Sequence, residues 1–187
     1  MTTSMRDLAR NALAELSQVL ERMPDNAADQ LIEAILAARR IALHGLGREG
    51  LQMRGFAMRL FHLGRDAHVV GDMTTPPLGP DDLLVVSIGP GTLATTEALM
   101  RVAKDAGAKI AMVTAQPEGQ ATRLADVVTV IPAQTMADDS GSKVSVLPMG
   151  SLYETAQMVF FELVILRLRD RTSETAVTMR ARHTNLE

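Results

Sequence analysis

The sequence has 187 residues, a formal net charge of −3 and 47% apolar side chains. We therefore expect a single domain over residues 1–187 with an aliphatic core. One Tyr, four Phe and no Trp, without a basic cluster, predict neither a nucleic-acid partner nor an anionic membrane partner. The absence of cysteine excludes disulfides, thiolate metal sites and a cysteine nucleophile.

The hydropathy pattern predicts no segment that spans or crosses a membrane. No apolar run approaches the roughly 18 residues of a spanning helix. The N-terminus, Met1-Thr-Thr-Ser-Met-Arg-Asp, lacks the apolar core of a signal peptide. We therefore expect a cytoplasmic protein.

Residues 1–38 are predicted to form two helices. Apolar residues recur at helical spacing from Leu8 to Leu20, before the break at Pro24. A second set runs from Leu31 onward, and Asp25 or Asn26 is predicted to cap that helix.

Residues 39–170 alternate short apolar runs with helical patterns. The predicted strands cover residues 41–44, 67–70, 82–88, 109–114 and 127–131. The predicted helices follow the first strand, cover 93–107 and 120–124, and begin again at Gly150. This alternation predicts an α/β fold, a three-layer, doubly wound sandwich around a roughly five-stranded parallel sheet.

Two further segments lie outside this alternation. Residues 132–145 are polar and irregular. An irregular segment of this length is typical of a functional loop. Residues 171–187 form a helical C-terminal tail with few large apolar side chains. Such a tail is not expected to hold itself on its own domain, so it is predicted to dock on a partner subunit.

Two glycine-rich loops follow the first and third predicted strands. Because ligands of open parallel sheets bind at the carboxyl ends of strands, both loops are expected at one edge. Unpaired N–H groups at a loop and a helix N-terminus favour an anion, although either loop alone is also explained as a tight turn without a ligand. The candidate ligand-binding residues are Gly45, Gly47, Arg48, Glu49, Ser87, Gly89, Gly91 and Thr92.

The first loop also matches a dinucleotide-binding pattern. Gly45-Leu-Gly-Arg-Glu-Gly fits G-x-G-x-x-G, and Asp72 follows about 20 residues later. Two helices before the first strand and the second glycine loop disfavour this alternative, so we expect no cofactor. The spacing of His44, His62 and His68 forms no metal site, and we expect no metal.

The chain resembles the sugar isomerase (SIS) domain proteins, most closely the 6-phospho-3-hexuloisomerases. The resemblance covers nearly the whole chain, and its most specific motifs are Pro148-Met-Gly-Ser-Leu-Tyr-Glu and Arg182-His-Thr-Asn-Leu-Glu. It implies an enzyme that interconverts a 3-hexulose 6-phosphate and fructose 6-phosphate without a cofactor or metal. It also implies a homodimer or homotetramer in which the tail reaches a neighbour's site.

The resemblance implies that Glu154 is the catalytic base and that His183 completes the site from another subunit. Moving a carbonyl between adjacent carbons needs one group that transfers a proton on carbon and another that moves protons on oxygen. From the residues alone, Glu154 is better explained as an acid favoured by a helix dipole, and His183 as an exposed tail residue. The resemblance favours the catalytic roles.

The two loops depart from the pattern of the family they resemble. Family members usually carry G-x-G-R-S-G and S-G-S-G-E-T, whose hydroxyls hold the sugar phosphate. Here Glu49, Ile88, Pro90 and Leu93 replace hydroxyl-bearing positions, and Pro90 has no N–H. Arg48 could pair with an anion or with Glu49. Two functions therefore stay open: an isomerase for a sugar or sugar phosphate with a shifted substrate, or a non-catalytic sugar-binding or regulatory module.

Overall fold

The computed structural model describes residues 3–140 and 144–186. Residues 1–2 of the predicted domain, 141–143 of the predicted loop and Glu187 of the predicted tail lie outside the described residues. The helices are α1 (Met5–Glu21), α2 (Asp29–Ala37), α3 (Gly47–His62), α4 (Ala94–Asp105), α5 (Ser151–Thr172) and α6 (Ala176–Ala181). A short 3-10 helix covers Gln120–Leu124. The strands are β1 (Ile41–His44), β2 (Ala67–Val69), β3 (Leu83–Ser87), β4 (Lys109–Thr114) and β5 (Val127–Val130).

The five strands form one parallel sheet in the order β2-β1-β3-β4-β5, which confirms the predicted fold class. Ile41 of β1 pairs with Ala67 of β2 on one side and with Leu83 of β3 on the other. The chain thus leaves β1 toward one edge of the sheet and returns to continue toward the other edge. The loops after β1 and β3 therefore meet at the point where the strand order reverses, which is where open α/β sheets bind ligands.

Alternate residues of the strands face two separate apolar layers, because a strand turns successive side chains to opposite faces. Ile41 and Leu43 pack with α1, α2, α3 and α5. Ala42 and Leu84 pack with α4 and the 3-10 helix. All five residues of β3 are buried, which explains why its sequence is apolar without alternation.

The predicted cap of the second helix is wrong. α2 begins at Asp29, after Ala28, and has no side-chain cap. Asp25 and Asn26 lie in the turn before it, where Ala27 N–H donates to the Pro24 carbonyl and Asp29 N–H donates to the Asn26 carbonyl. Because this turn already pairs its backbone groups, the helix starts without a capping side chain.

The first glycine loop is largely the first turn of α3, which starts at Gly47. A Cβ atom at Gly50 would lie 2.5 Å from the Gly45 carbonyl oxygen, a distance that no side chain tolerates. Glycine at this position therefore lets the start of α3 pack directly on the end of β1. This packing fixes the direction in which the side chains of Arg48 and Glu49 leave the helix.

The tail is attached to its own domain, so the expectation that it needs a partner for attachment is wrong. The Arg182 guanidinium donates to the His62 carbonyl at 2.9 Å and pairs with Glu174 at 2.8 Å. Met179 packs against the core that contains α3. Polar contacts of one arginine thus replace the apolar side chains that the tail lacks. Contact between the tail and a partner stays a prediction.

Over residues 3–140 and 144–186, no helix combines the length and apolar character that crossing a membrane requires.

Candidate active site

A cavity of about 380 Å³ lies where the loops after β1 and β3 meet the start of α5. Four segments line it: the start of α3, the β3 loop (residues 88–93), the loop after β5, and the first turn of α5. The lining residues are Leu46, Gly47, Arg48, Glu49, Pro90, Leu93, Thr135, Met136, Met149, Gly150, Tyr153 and Glu154. The predicted functional loop after β5 thus supplies Thr135 and Met136.

The Glu49 carboxylate bridges the start of α3 and the β3 loop. Ser87 Oγ donates to Glu49 Oε2 at 2.5 Å, and the Gly89 N–H donates to both carboxylate oxygens at 3.1 and 3.0 Å. A Cβ atom at Gly89 would lie 2.8 Å from Glu49 Oε1 and 2.9 Å from the Tyr153 ring. Glycine at this position therefore makes room for the carboxylate.

Burial raises the pKa of Glu49 above its ordinary value of 4.5. The hydrogen bonds from Ser87 and Gly89 stabilise the carboxylate and oppose this rise, while the nearby charge of Glu154 adds to it. None of the groups that act on this pKa is a cation. Glu49 is therefore a partly desolvated carboxylate whose donors in the described part of the chain, Ser87 and Gly89, are neutral.

Arg48 turns to Glu154 and not to Glu49, so the predicted Arg48–Glu49 alternative is wrong. Its Nη2 lies 3.2 Å from Glu154 Oε1 and donates also to the Met149 carbonyl. Among the described residues, the second oxygen of Glu154, Oε2, is buried and has no hydrogen-bond partner. Burial raises the pKa of Glu154 above 4.5, and the Arg48 charge and hydrogen bond oppose the rise. One carboxylate oxygen is thus oriented by Arg48 while the other is free to take a proton.

Tyr153 is a site residue that the sequence analysis missed. Its hydroxyl lies 3.3 Å from Ser87 Oγ, and the side chain is almost completely buried. Burial raises its pKa well above 10, so the hydroxyl stays neutral. The sequence feature that could have identified Tyr153 is its position next to Glu154 on the first turn of α5, because that turn faces the cavity.

The far end of the β3 loop is held by a second carboxylate that the sequence analysis also missed, Glu97. Thr92 Oγ1 and the Leu93 N–H donate to Glu97 Oε1 at 2.8 and 3.1 Å, and Arg101 lies 3.4 Å from Glu97 Oε2. The Thr92 hydrogen bond, with Leu93 and Arg101, lowers the pKa of Glu97 below 4.5. The Thr92 hydroxyl therefore helps to fix the start of α4 through its hydrogen bond to Glu97.

The predicted binding residues divide into three groups. Gly47, Arg48 and Glu49 line the cavity with Glu154. Ser87 and Gly89 donate to the Glu49 carboxylate, and it is Glu49 that lines the cavity. Gly45 supports the packing of α3 on β1, Gly91 packs on Gly119, and Thr92 bonds to Glu97.

Within one chain, His183 and Glu154 lie at opposite ends of α3. The His183 ring stacks on the His62 ring at 5.3 Å, and His62 is the last residue of α3. Glu154 contacts Arg48 at the other end of that helix. At 1.5 Å per residue the two ends are roughly 20 Å apart. A single chain therefore does not bring the two predicted catalytic residues together.

No group of three or more His, Asp or Glu side chains in the described part of the chain could hold a metal ion. Asp72, the acid of the dinucleotide alternative, pairs instead with Arg54 at 3.5 Å.

Comparison with known proteins gives a consistent result. Residues 34–159 match the model of the SIS domain. A 3-hexulose-6-phosphate isomerase from Bacillus subtilis is 35% identical over 175 residues, covering 94% of this chain and 95% of that protein. One from Mycobacterium gastri is 41% identical over 179 residues, covering 92% and 89%.

Solved structures agree. A hypothetical protein from Methanococcus jannaschii, whose crystal structure infers the function of a 3-hexulose-6-phosphate isomerase, superposes with a TM-score of 0.80 at 31% identity. The superposition covers 97% of this chain and 98% of that one. With the domain match across β1 to α5, these likenesses establish that the chain belongs to the SIS domain family.

Proposed function

We propose that this protein is an isomerase that moves a carbonyl between adjacent carbons of a sugar, with Glu154 as the base. The observation that carries the proposal is a buried carboxylate oxygen without a partner that belongs to a cavity-lining residue. The names of the Bacillus subtilis and Mycobacterium gastri relatives support the same reaction class.

The reaction needs a base that removes a proton from carbon and returns it to the neighbouring carbon through an enediol. Glu154 Oε2 is suited to this step because Arg48 holds Oε1 and leaves Oε2 unpaired. The raised pKa of Glu154 makes the carboxylate a stronger base than an exposed glutamate. The charge and hydrogen bond of Arg48 favour the ionised form, because they partly oppose the effect of burial on the pKa of Glu154.

The second proton transfer, between the two oxygens, is assigned to His183 of another copy of the chain. His183 and Glu154 are far apart within one chain, so the assignment requires a homodimer or homotetramer with a shared site. The exposed fraction of the α6 residue Val177, 78%, leaves that helix open to a partner.

The substrate is proposed to differ from a sugar phosphate held by both loops. Glu49, Ile88, Pro90 and Leu93 replace positions that would supply hydroxyl groups. Each missing hydrogen bond to a charged group weakens phosphate binding by roughly 1.5–3 kcal/mol. This proposal therefore keeps the reaction of the relatives and changes the group that the loop recognises.

The alternative is a non-catalytic sugar-binding or regulatory module on the same fold. The contact of Glu49 with the β3 loop favours it, because this carboxylate already accepts the Gly89 N–H, a donor that the phosphate of a substrate would use. Under this alternative the cavity binds a sugar, but no proton leaves carbon.

Exchange of carbon-bound hydrogen in D₂O separates the two functions. We expect NMR to detect deuterium at the carbons beside the carbonyl of fructose 6-phosphate or of an unphosphorylated ketose. Absence of exchange with fructose 6-phosphate and with every unphosphorylated ketose tested would favour the binding module.

Mixing two inactive variants tests the shared site. Glu154→Gln and His183→Ala are each expected to lose exchange, and a mixture that reassembles is expected to recover part of it. A mixture as inactive as its components, although subunits exchange, would remove His183 from the site.

A further inference from the structure

Several donors of the β3 loop are already used by groups of the same chain. The Gly89 N–H donates to Glu49, and the Gly91 N–H donates to the Ile88 carbonyl at 3.0 Å. The Leu93 N–H and the Thr92 hydroxyl donate to Glu97, and Pro90 has no N–H. A phosphate that used the Gly89 N–H, the Leu93 N–H or the Thr92 hydroxyl would have to displace a carboxylate from that donor.

The carboxylate beside the cavity is Glu49. It lines the cavity, while its oxygens bind Ser87 Oγ and the Gly89 N–H. These are one hydroxyl and one backbone donor, the types that an anionic ligand would use. Glu49 therefore occupies the position that an anion would take between α3 and the β3 loop.

The charges around Glu49 disfavour a second anion. Glu154 faces the same cavity, and its charge acts on Glu49. The cation of the cavity lining, Arg48, is bound to Glu154 and to the Met149 carbonyl. A phosphate beside Glu49 would thus meet two carboxylates and one arginine that is already paired.

A sugar hydroxyl meets no such difficulty. A carboxylate has about four lone-pair sites, and Glu49 uses its oxygens for two donor groups, Ser87 and Gly89. The remaining capacity can accept a hydrogen bond from a hydroxyl group in the cavity. A half-buried carboxylate gains from such a donor, because the two donor groups leave part of its hydrogen-bonding capacity unused.

We propose that Glu49 is a specificity-determining residue that selects a sugar whose group at the β3 loop is an uncharged hydroxyl and not a phosphate. The inference rests on the proposed function, since that function makes the ligand a sugar. It adds the class of substrate, a polyhydroxy carbonyl compound without a phosphate at the end that meets the β3 loop. It also names Glu49 as the residue that imposes this selection.

Calorimetry with two open-chain polyols, glucitol and glucitol 6-phosphate, tests this inference. Neither has a carbonyl, so no turnover interferes, and the two differ only in the phosphate. At pH 7.5 the unmodified protein is expected to bind glucitol 6-phosphate no more tightly than glucitol. In Glu49→Gln, which keeps an acceptor for Gly89 and removes the charge, preference for the phosphorylated polyol should rise by roughly tenfold or more.

Glu118→Gln is the matched control, because it removes the same charge from an exposed residue and should leave the preference unchanged. Tenfold tighter binding of glucitol 6-phosphate to the unmodified protein would overturn the inference, whether or not Glu49→Gln folds. An unchanged preference in a folded Glu49→Gln would overturn it as well.

The exchange assay separates failure of this inference from failure of the proposed function. Deuterium exchange together with tight glucitol 6-phosphate binding would keep the isomerase and reject the role of Glu49. Failure of both polyols to bind any variant, with no exchange on any sugar, would reject the isomerase and this inference together.

Discussion

Glu49 and Glu97 both bind the loop after β3, one at each end, yet their pKa values move in opposite directions. Glu49 is half-buried, accepts from Ser87 and Gly89 and lies beside another carboxylate, and desolvation raises its pKa. Glu97 accepts from Thr92 and Leu93 beside Arg101, and its pKa is lowered. A glutamate with the same kinds of hydroxyl and backbone donor is therefore easier to ionise at the Glu97 end of the loop than at the Glu49 end.

The difference supports the proposal that Glu49 belongs to the ligand site, while Glu97 fixes the start of α4. Glu97 is stabilised by its neighbours as an ion, as expected of a group that fixes the start of a helix. Glu49 is kept where ionisation is costly, and perturbed carboxylates of this kind concentrate at functional sites. The cavity beside Glu49 and Glu154 agrees with that assignment.

The largest expected effect comes from removing the other carboxylate of the cavity. Glu154→Gln should reduce carbon–deuterium exchange by about 10²- to 10⁴-fold, because an amide cannot accept the proton. The same change should lower the pKa of Glu49, since the Glu154 charge raises it. Exchange rates measured by NMR check the first result.

Glu162→Gln is the control on the same helix. Glu162 pairs with Arg59 at 3.0 Å on the surface, so this variant should keep its exchange rate. Full exchange in Glu154→Gln would reject Glu154 as the base.

A methyl group at Gly50 should disturb the placement of Glu49. Gly50→Ala would bring a Cβ within 2.5 Å of the Gly45 carbonyl and should cost about 1–3 kcal/mol in the free energy of unfolding. Gly55→Ala lies on the same helix with no atom within 4 Å, and should stabilise by about 0.5–1 kcal/mol. Urea denaturation of both variants measures the contrast, and two stabilised variants would contradict the close packing.

At the other end of the loop, Glu97→Ala should cost about 1 kcal/mol in the free energy of unfolding, the typical value for a lost N-terminal cap. It removes the acceptor of Thr92 and Leu93 but leaves Glu49 in place. Chemical denaturation measures the loss. The relative affinity for glucitol and glucitol 6-phosphate should not change, and a change like that of Glu49→Gln would erase the distinction between the two ends.

The smallest effect is a difference in pH dependence. The folded protein binds a proton on Glu49 more tightly than the unfolded chain does, because its pKa is raised above 4.5. This contribution to stability is present below pH 4.5 and is lost as the pH rises through the raised pKa. The stability of Glu49→Gln relative to the unmodified protein should therefore increase from pH 4.5 to neutral pH.

Glu97 and Glu174 should behave in the opposite way. Their pKa values are lowered, that of Glu174 to about 2 by its hydrogen bonds from Arg182 and Thr178. Their contributions are present above pH 4.5 and are lost as the pH falls toward 2. The stability of each variant, Glu49→Gln and Glu97→Gln, is compared with that of the unmodified protein at each pH. Differences that change in the same direction with pH would contradict the opposite pKa shifts.

Much of the fold could be predicted because the strands are short, apolar and separated by glycine or proline. The bounds of β1 and β4 agree with the structure, and β2 and β5 end one residue earlier than predicted. The cap of α2 was mispredicted because its turn pairs its own backbone. The tail was mispredicted because one arginine, Arg182, attaches it.

The site was less predictable because its contacts join distant parts of the chain. Glu49 and Ser87 are 38 positions apart, and Arg48 and Glu154 are 106 positions apart. Local sequence indicates that the carboxylate of Glu49 lies in a glycine-rich loop, but not which second loop it contacts. Tyr153 was missed for the same reason, since it lies on α5 and its partner Ser87 lies on β3.

The most direct test of the central claim is the titration of the two loop carboxylates by NMR. In protein labelled with ¹³C at the glutamate carboxyl carbon, Glu49→Gln and Glu97→Gln assign the two signals. We expect Glu49 to titrate above 4.5 and Glu97 below it. A Glu49 signal that titrates at or below that of Glu97 would show that the cavity does not hold a desolvated carboxylate.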